Sequence, residues 1–205
     1  MMKQLLADAF AEALKDPGVL GGRRFVREAL ERQDCTGLDC RKVTFQSCRF
    51  SECDFSGAVF YDCIFQECRF ESCHFPSGFW KSTRLEGCTA DGGDFQKARF
   101  QECVLDRSCF RRAVFSGGVW ERSFLCGCDF TGAVLSGVCF QDTELSDGNL
   151  TGANLVQTSL SGMDLTTCIL DRAVLSENRA ELRGAEILPA QAAAIAWIPG
   201  ADADG

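Results

Sequence analysis

The sequence predicts an all-β solenoid closed by a short helix at each end. Three observations carry that prediction: a bulky apolar residue returns at every fifth place, a small residue sits two places before it, and no insertion shifts the frame. From Phe45 to Leu175 the 27 fifth-place residues are 13 Phe, 11 Leu and 2 Trp (Trp80 and Trp120), with Ala90 as the exception. The residue two earlier is Ala, Cys, Gly, Ser or Thr in 24 of 27 units, failing only at Val43, Val138 and Met163.

A helix face recurs near 3.6 residues and a strand face at 2, so a strict five belongs to neither. Within each unit the large and small residues share the parity of a strand and point inward together, while the others turn a corner. Glycine stands two places after the large residue nine times, as at Gly57 and Gly132, where a tight turn calls for positive φ. Short edges and corners alternate, so the chain winds into coils stacked by backbone hydrogen bonds.

Terminal coils would expose their apolar interior, so both ends need covers. Leu5, Leu6, Phe10, Ala13 and Leu14 form an apolar helical stripe that stops at Asp16, Pro17 and Gly18. A helix is expected over 3–15, within an N-terminal cap of residues 1–24. The solenoid is expected over 25–178, with RFVREALERQ as an irregular first coil because Phe25 and Leu30 already keep the phase. Residues 179–199 read as a C-terminal capping or dimerisation helix. It opens on Pro189, which suits a first helical turn, and runs apolar through Ile195, Trp197 and Ile198. Residues 200–205 read as a tail.

Charged residues make up 24% and hydrophobic ones 46%, a balance that supports one packed core. The formal charge of −8 disfavours direct binding of nucleic acid or anionic membranes and favours basic partners. The N-terminus lacks the apolar stretch of a signal peptide, and no apolar run approaches the ~18–20 residues that cross a bilayer. A cytoplasmic location with reduced thiols is therefore expected.

Fourteen cysteines invite a metal or disulfide reading. Nine of them (Cys48, Cys53, Cys63, Cys68, Cys73, Cys88, Cys103, Cys128 and Cys168) occupy the small inward place, while Cys35 and Cys40 take the large one. The spacing is not the paired pattern of zinc sites, and free cysteine packs well as a small apolar residue. Packing, with no metal and no cofactor, is the expected use. Cys126 and Cys128 are a close pair of which one should face inward. His74, the only histidine, falls at an outward place. No nucleophile elbow, phosphate loop or dinucleotide fingerprint is present, so no catalytic residue is assigned and the chain is expected not to be an enzyme.

The Gly-Ala-Asn-Leu-Val register around Leu155 and the Cys-X-Phe units before it resemble the pentapeptide-repeat family over about residues 25–178. The resemblance implies a right-handed quadrilateral parallel β-helix with four units per coil. Residues twenty apart then stack, so that Cys48, Cys68 and Cys88 share a ladder. The face carrying Phe65, Leu85, Leu105, Leu125, Leu145 and Leu165 turns Glu67, Glu86, Asp106, Glu144, Asp147 and Asp164 outward, offset by Arg84 and Arg107. The next face balances Glu52, Glu71, Asp91, Asp129 and Asp171 against Arg49, Arg69, Arg111, Arg112 and Arg172.

Cysteine- and phenylalanine-rich coils followed by leucine-rich ones and a short apolar helix are similar to the Qnr-like, gyrase-protecting members. That resemblance implies a DNA-mimicking homodimer that binds DNA gyrase or topoisomerase IV and confers resistance to a topoisomerase poison. Glu67, Glu86, Asp106, Glu144, Asp147 and Asp164 would make the contact, and Ile195, Trp197 and Ile198 the dimer. The unbroken frame departs from members with loops, and the N-terminal helix is a further departure. Duplex DNA carries one charge per ~1.7 Å, roughly 20 over a rod of about 33 Å, so a net −8 is dilute by comparison. The other reading is a protein-interaction scaffold, adaptor or secreted effector with the rod as spacer.

Overall fold

The computed structural model describes residues 5–15 and 19–196; Trp197, Ile198 and the tail lie outside the described residues. The chain winds as a four-sided parallel solenoid. The first face is a seven-stranded sheet running from Val19–Gly21 to Cys139–Gln141. The second is a seven-stranded sheet running from Arg24–Val26 to Glu144–Ser146. The third has three strands, Ala29–Glu31, Arg49–Ser51 and Arg69–Glu71, and continues as single bridges. The fourth holds only bridges, from Asp34–Asp54 to Asn154–Val174. Register advances by twenty from the first coil to Val174, as in Phe65 beside Leu85 beside Leu105 beside Leu125.

Every fifth residue from Leu20 to Leu170 is buried except Phe140, which is half-buried. The stack thus starts at Val19, ahead of the expected position 25, and the first coil keeps the frame of the rest. Aromatic rings stack down the interior: Phe55, Phe75, Phe95 and Phe115 lie 4.8–5.0 Å apart at interplanar angles of 2–7°. Each buried ring contributes about 1.5–3 kcal/mol by leaving water. A glycine stands two places before each ladder tryptophan, at Gly78 and Gly118. A Cβ on Gly78 would meet the Phe75 carbonyl at 3.0 Å and Trp80 Nε1 at 3.2 Å.

The corners do not depend on glycine as expected. Among the described residues twenty non-glycine residues have positive φ, and all but Arg179 stand two places after a core residue, Arg27, Glu67 and Asp147 among them. Backbone bonds from one coil to the next, such as Glu67 N–H to the Glu86 carbonyl at 2.8 Å, hold this conformation against its intrinsic cost.

Helix α1 (Leu6–Ala13) closes the first coil. Phe10 inserts beside Phe45, Phe50 and Phe55, with ring centroids 6.1–6.5 Å apart. The ladder above Phe55 holds the smaller Cys35, which leaves room for that ring. Leu5 precedes the helix and is 57% exposed, outside the stripe assigned to it. The Glu28 carboxylate accepts the Leu6 N–H at 2.6 Å, a side-chain cap on a helix start.

At the other end the seventh coil, from Cys139, and the eighth, from Ser159, part company on two faces. No backbone hydrogen bond joins 139–146 to 159–166. On its other edge the eighth coil binds the segment beyond it as earlier coils do, through Leu160 N–H to the Glu181 carbonyl, Gly162 N–H to Gly184 and Leu165 N–H to Glu186. Helix α2 (Pro189–Ala196) then covers this last coil. Gln191 Nε2 donates to the Leu165 and Cys168 carbonyls at 2.7 and 2.6 Å. Ile195, 8% exposed, joins the chain's own core. That side chain is a cap within one subunit and offers no free apolar face for the dimer contact expected of it.

Candidate functional site

The small inward residues bind adjacent coils together. Cys63 Sγ donates to the Cys40 carbonyl at 3.4 Å, and Cys103 Sγ to the Trp80 carbonyl at 3.3 Å. Thr83 Oγ1 makes the same contact with Phe60 at 3.0 Å, so thiol and hydroxyl serve alike. All fourteen cysteines are free thiols, and the nine inward ones are buried. Cys128 faces inward and Cys126 outward, as the close pair required. Burial pushes the Cys103 thiol up to about 12, far from a reactive thiolate. Among the described residues no group of three or more His, Cys, Asp or Glu is placed to hold a metal. His74 lies outward, with Nδ1 4.0 Å from Asp94 Oδ2.

The expected acidic stripe divides into three columns. Glu86 and Asp106 are register neighbours on the second face. Arg84 lies 3.3 Å from Glu86, and Arg107 lies 2.6 Å from Asp106, so both carry a local counter-charge. Below them Asp106 pairs in register with the exposed Cys126, where the acidic row ends. Glu67 stands at the corner, accepting from the Ser47 hydroxyl at 3.1 Å. Glu144 follows Val104 and Phe124 along the other edge of that face, and Phe124 is 50% exposed. Asp147 sits at the corner that Glu67 occupies four coils earlier, its N–H bound to Thr167 Oγ1 at 2.9 Å. Asp164 bridges to Glu186 instead of lying against Glu144. Its carboxyl is held below the usual range by the Thr166 hydroxyl and N–H.

The third face is neutralised across coils by Arg32–Glu52, Arg49–Glu71 and Arg111–Asp129. On the fourth, Asp34, Asp54 and Asp94 share a column with His74. Asp34, Asp54 and Asp94 accept the N–H two residues on, at 2.9–3.0 Å, so their first task is to form the turn.

One acidic region has no such offset. Between Arg122 and Arg172 there is no Lys, Arg or His, but Asp129, Asp142, Glu144, Asp147, Asp164 and Asp171 all fall there. Asp129 is paired with Arg111. Asp142, Glu144, Asp147 and Asp164 form no ion pair among the described residues and are exposed, Asp142 at the corner before the second face, Glu144 and Asp164 on that face and Asp147 at the corner after it. Asp142 was missed in the sequence, although the missing bases of 123–171 were the signal that marks it.

A parallel stack of twenty-residue coils with Phe or Leu at each fifth place defines a class, and comparison with known proteins agrees. The family pattern "Pentapeptide repeats (9 copies)" matches residues 41–76, and "Pentapeptide repeats (8 copies)" matches 81–117, 108–147 and 148–177. The chain belongs to the pentapeptide-repeat family. Among solved structures it is similar to two trypsin-treated variants of QnrB1, a plasmid-mediated fluoroquinolone resistance protein. One is 23% identical over 86% of this chain and 94% of that chain, with a TM-score of 0.55. The other is 20% identical over 85% and 95%, with a TM-score of 0.54. HetL, involved in heterocyst differentiation regulation in the cyanobacterium Nostoc sp. strain PCC 7120, is 14% identical over 90% and 95%, with a TM-score of 0.44. No curated protein sequence matches this chain. No helix among the described residues is long and apolar enough to cross a membrane.

Proposed function

We propose that this protein is a non-catalytic rod that binds DNA gyrase or topoisomerase IV and confers tolerance to a topoisomerase poison, a fluoroquinolone or a natural-product toxin. The observation that carries the reading is the acidic patch of Asp142, Glu144, Asp147 and Asp164 across the second face and its two corners, in a stretch without a base from residue 123 to 171. Such a patch complements the basic groove of a DNA-handling enzyme and steers the encounter. The likeness to QnrB1 supports the choice of partner at the level of fold. Charge concentrated at one end removes the difficulty that the whole rod is a dilute mimic of duplex DNA. Glu67, Glu86 and Asp106 would play the lesser part because arginines stand beside the latter two. A homodimer would rest on Trp197 and Ile198, because Ile195 is spent on the cap; light scattering of Trp197→Glu should then give the monomer mass.

The direct test titrates the protein into supercoiling and cleavage assays of purified gyrase, with and without a fluoroquinolone. Inhibition at high concentration, relief of drug-stabilised cleavage and co-purification with gyrase are expected. Absence of all three would leave the rod as an adaptor for some other partner.

A further inference from the structure

We propose that the parted seam between the seventh and eighth coils is a docking edge for an extended, basic segment of a partner protein. The proposal goes beyond the gyrase reading, since it concerns an open backbone edge, and each can hold without the other.

In earlier coils the corner N–H of the first face bonds the next coil, as Glu102 N–H does to the Glu121 carbonyl at 2.8 Å and Arg122 N–H to Gln141 at 2.9 Å. Asp142 occupies the same place and has no such bond to the eighth coil. The N–H groups of Phe140 and Leu145, which should reach Ser159 and Asp164, likewise have no acceptor among the described residues. Two short strand edges, Cys139–Gln141 and Glu144–Ser146, therefore end the first two sheets with main-chain groups unused. Such groups are what an added strand pairs with.

The opening has a local cause in the sequence. At this corner a thiol or hydroxyl normally bridges coils: Cys63 N–H donates to Thr83 Oγ1 at 3.4 Å, and Cys103 N–H to Ser123 Oγ at 3.0 Å. The next positions down are Thr143 and Met163. Methionine has no hydroxyl oxygen to accept the N–H of the coil above, and its bulk fills a place meant for a small residue. The seam closes again on either side, where Val138 N–H meets Thr158 Oγ1 and Asp147 N–H meets Thr167 Oγ1.

Chemistry around the seam selects the occupant. Asp142, Glu144 and Asp147 stand on the upper lip and Asp164 on the lower, with no base nearby in sequence. Behind the lips lies an apolar cavity of about 10 Å³ among Trp120, Phe140, Leu145 and Leu160, too small for a side chain but marking loose packing under the half-buried Phe140. A strand laid on this edge would set an apolar side chain toward Phe140 and its neighbours outward beside the acids. Lysine or arginine at those neighbours would complete the match. The chain's own tail is no candidate, since Asp202 and Asp204 repeat the charge of the lips.

The test uses a fluorescein-labelled short peptide alternating valine and lysine, read by fluorescence anisotropy on the full chain. Saturable binding is expected. It should weaken about ten-fold or more when alternate peptide amides are N-methylated, which keeps the charge and removes strand pairing. Met163→Thr, which restores the bridging hydroxyl and keeps every acid, should close the seam and abolish binding while the thermal transition stays at or above wild type. No binding of the valine–lysine peptide, equal binding of the N-methylated peptide, or unchanged binding to Met163→Thr would each overturn the proposal.

Discussion

Phe100 and Trp120 stack with ring centroids 3.9 Å apart and planes 7° from parallel, one coil above the next. The contact carries the logic of the fold, because a ladder of flat rings fits the strand spacing and fills the interior without gaps. Trp120→Ala should therefore cost about 3–5 kcal/mol. Trp120→Phe should cost much less, because it keeps the stack and removes an indole N–H that has no partner. Urea unfolding of the two variants checks the difference.

The lower end should fail first when its cover is loosened. Gln191→Ala removes both side-chain bonds to the last coil, at Leu165 and Cys168. A loss of about 1–3 kcal/mol is expected, since two carbonyls lose their donor. Limited proteolysis should cut the variant near residues 176–188 before it cuts the aromatic coils.

Thiol reactivity should divide by place in the unit. Cys126 and Cys139 are exposed and should react with Ellman's reagent in the native protein, and half-buried Cys109 more slowly. The buried thiols should react only on unfolding. Prompt reaction of Cys63 or Cys103 would contradict the packing assigned to them.

The same burial sets a pH dependence. Cys63 is pushed up to about 11, and Cys128 to about 12, from an ordinary value of 9.0. The unfolded chain therefore releases these protons first as pH rises. Their contribution is whole below pH 9 and is lost between 9 and about 12. The thermal midpoint should fall steadily across that window, and Cys63→Ser should make the fall shallower.

Acids with and without neighbouring arginines should differ in function. Glu144→Gln with Asp147→Asn should weaken gyrase inhibition more than Glu86→Gln with Asp106→Asn, because the second pair is already offset by Arg84 and Arg107. Both double variants should melt within about 1 kcal/mol of wild type, as exposed charges contribute little to stability. Equal loss from the two pairs would favour a contact spread along the whole face.

Most of the fold is legible in the sequence because one rule repeats without interruption. Phe65, Leu85, Leu105 and Leu125 stack as their spacing requires, and Cys48, Cys68 and Cys88 line one corner. The candidate surface is less legible. The sequence names Arg84 and Arg107 as the offset to this face, but which acids they pair with, Glu86 and Asp106, is a matter of side-chain geometry. Ile195 reads as a dimer contact before a cap until its neighbours in the chain's own core are known. Val138 and Met163 break the small-residue rule close together, and that signal was present in the sequence. Its consequence depends on whether the N–H groups of Phe140, Asp142 and Leu145 keep their acceptors in the eighth coil, which only the backbone path reveals.

Residue-resolved amide hydrogen exchange tests the central claim, a continuous square spiral with one unpaired edge under its acidic patch. Slow exchange is predicted for the sheet amides from the second coil to Arg122, with fast exchange at Phe140, Asp142 and Leu145 and slow exchange again at Leu160 and Leu165. Protection of Phe140, Asp142 and Leu145 equal to that of their counterparts one coil above would contradict it.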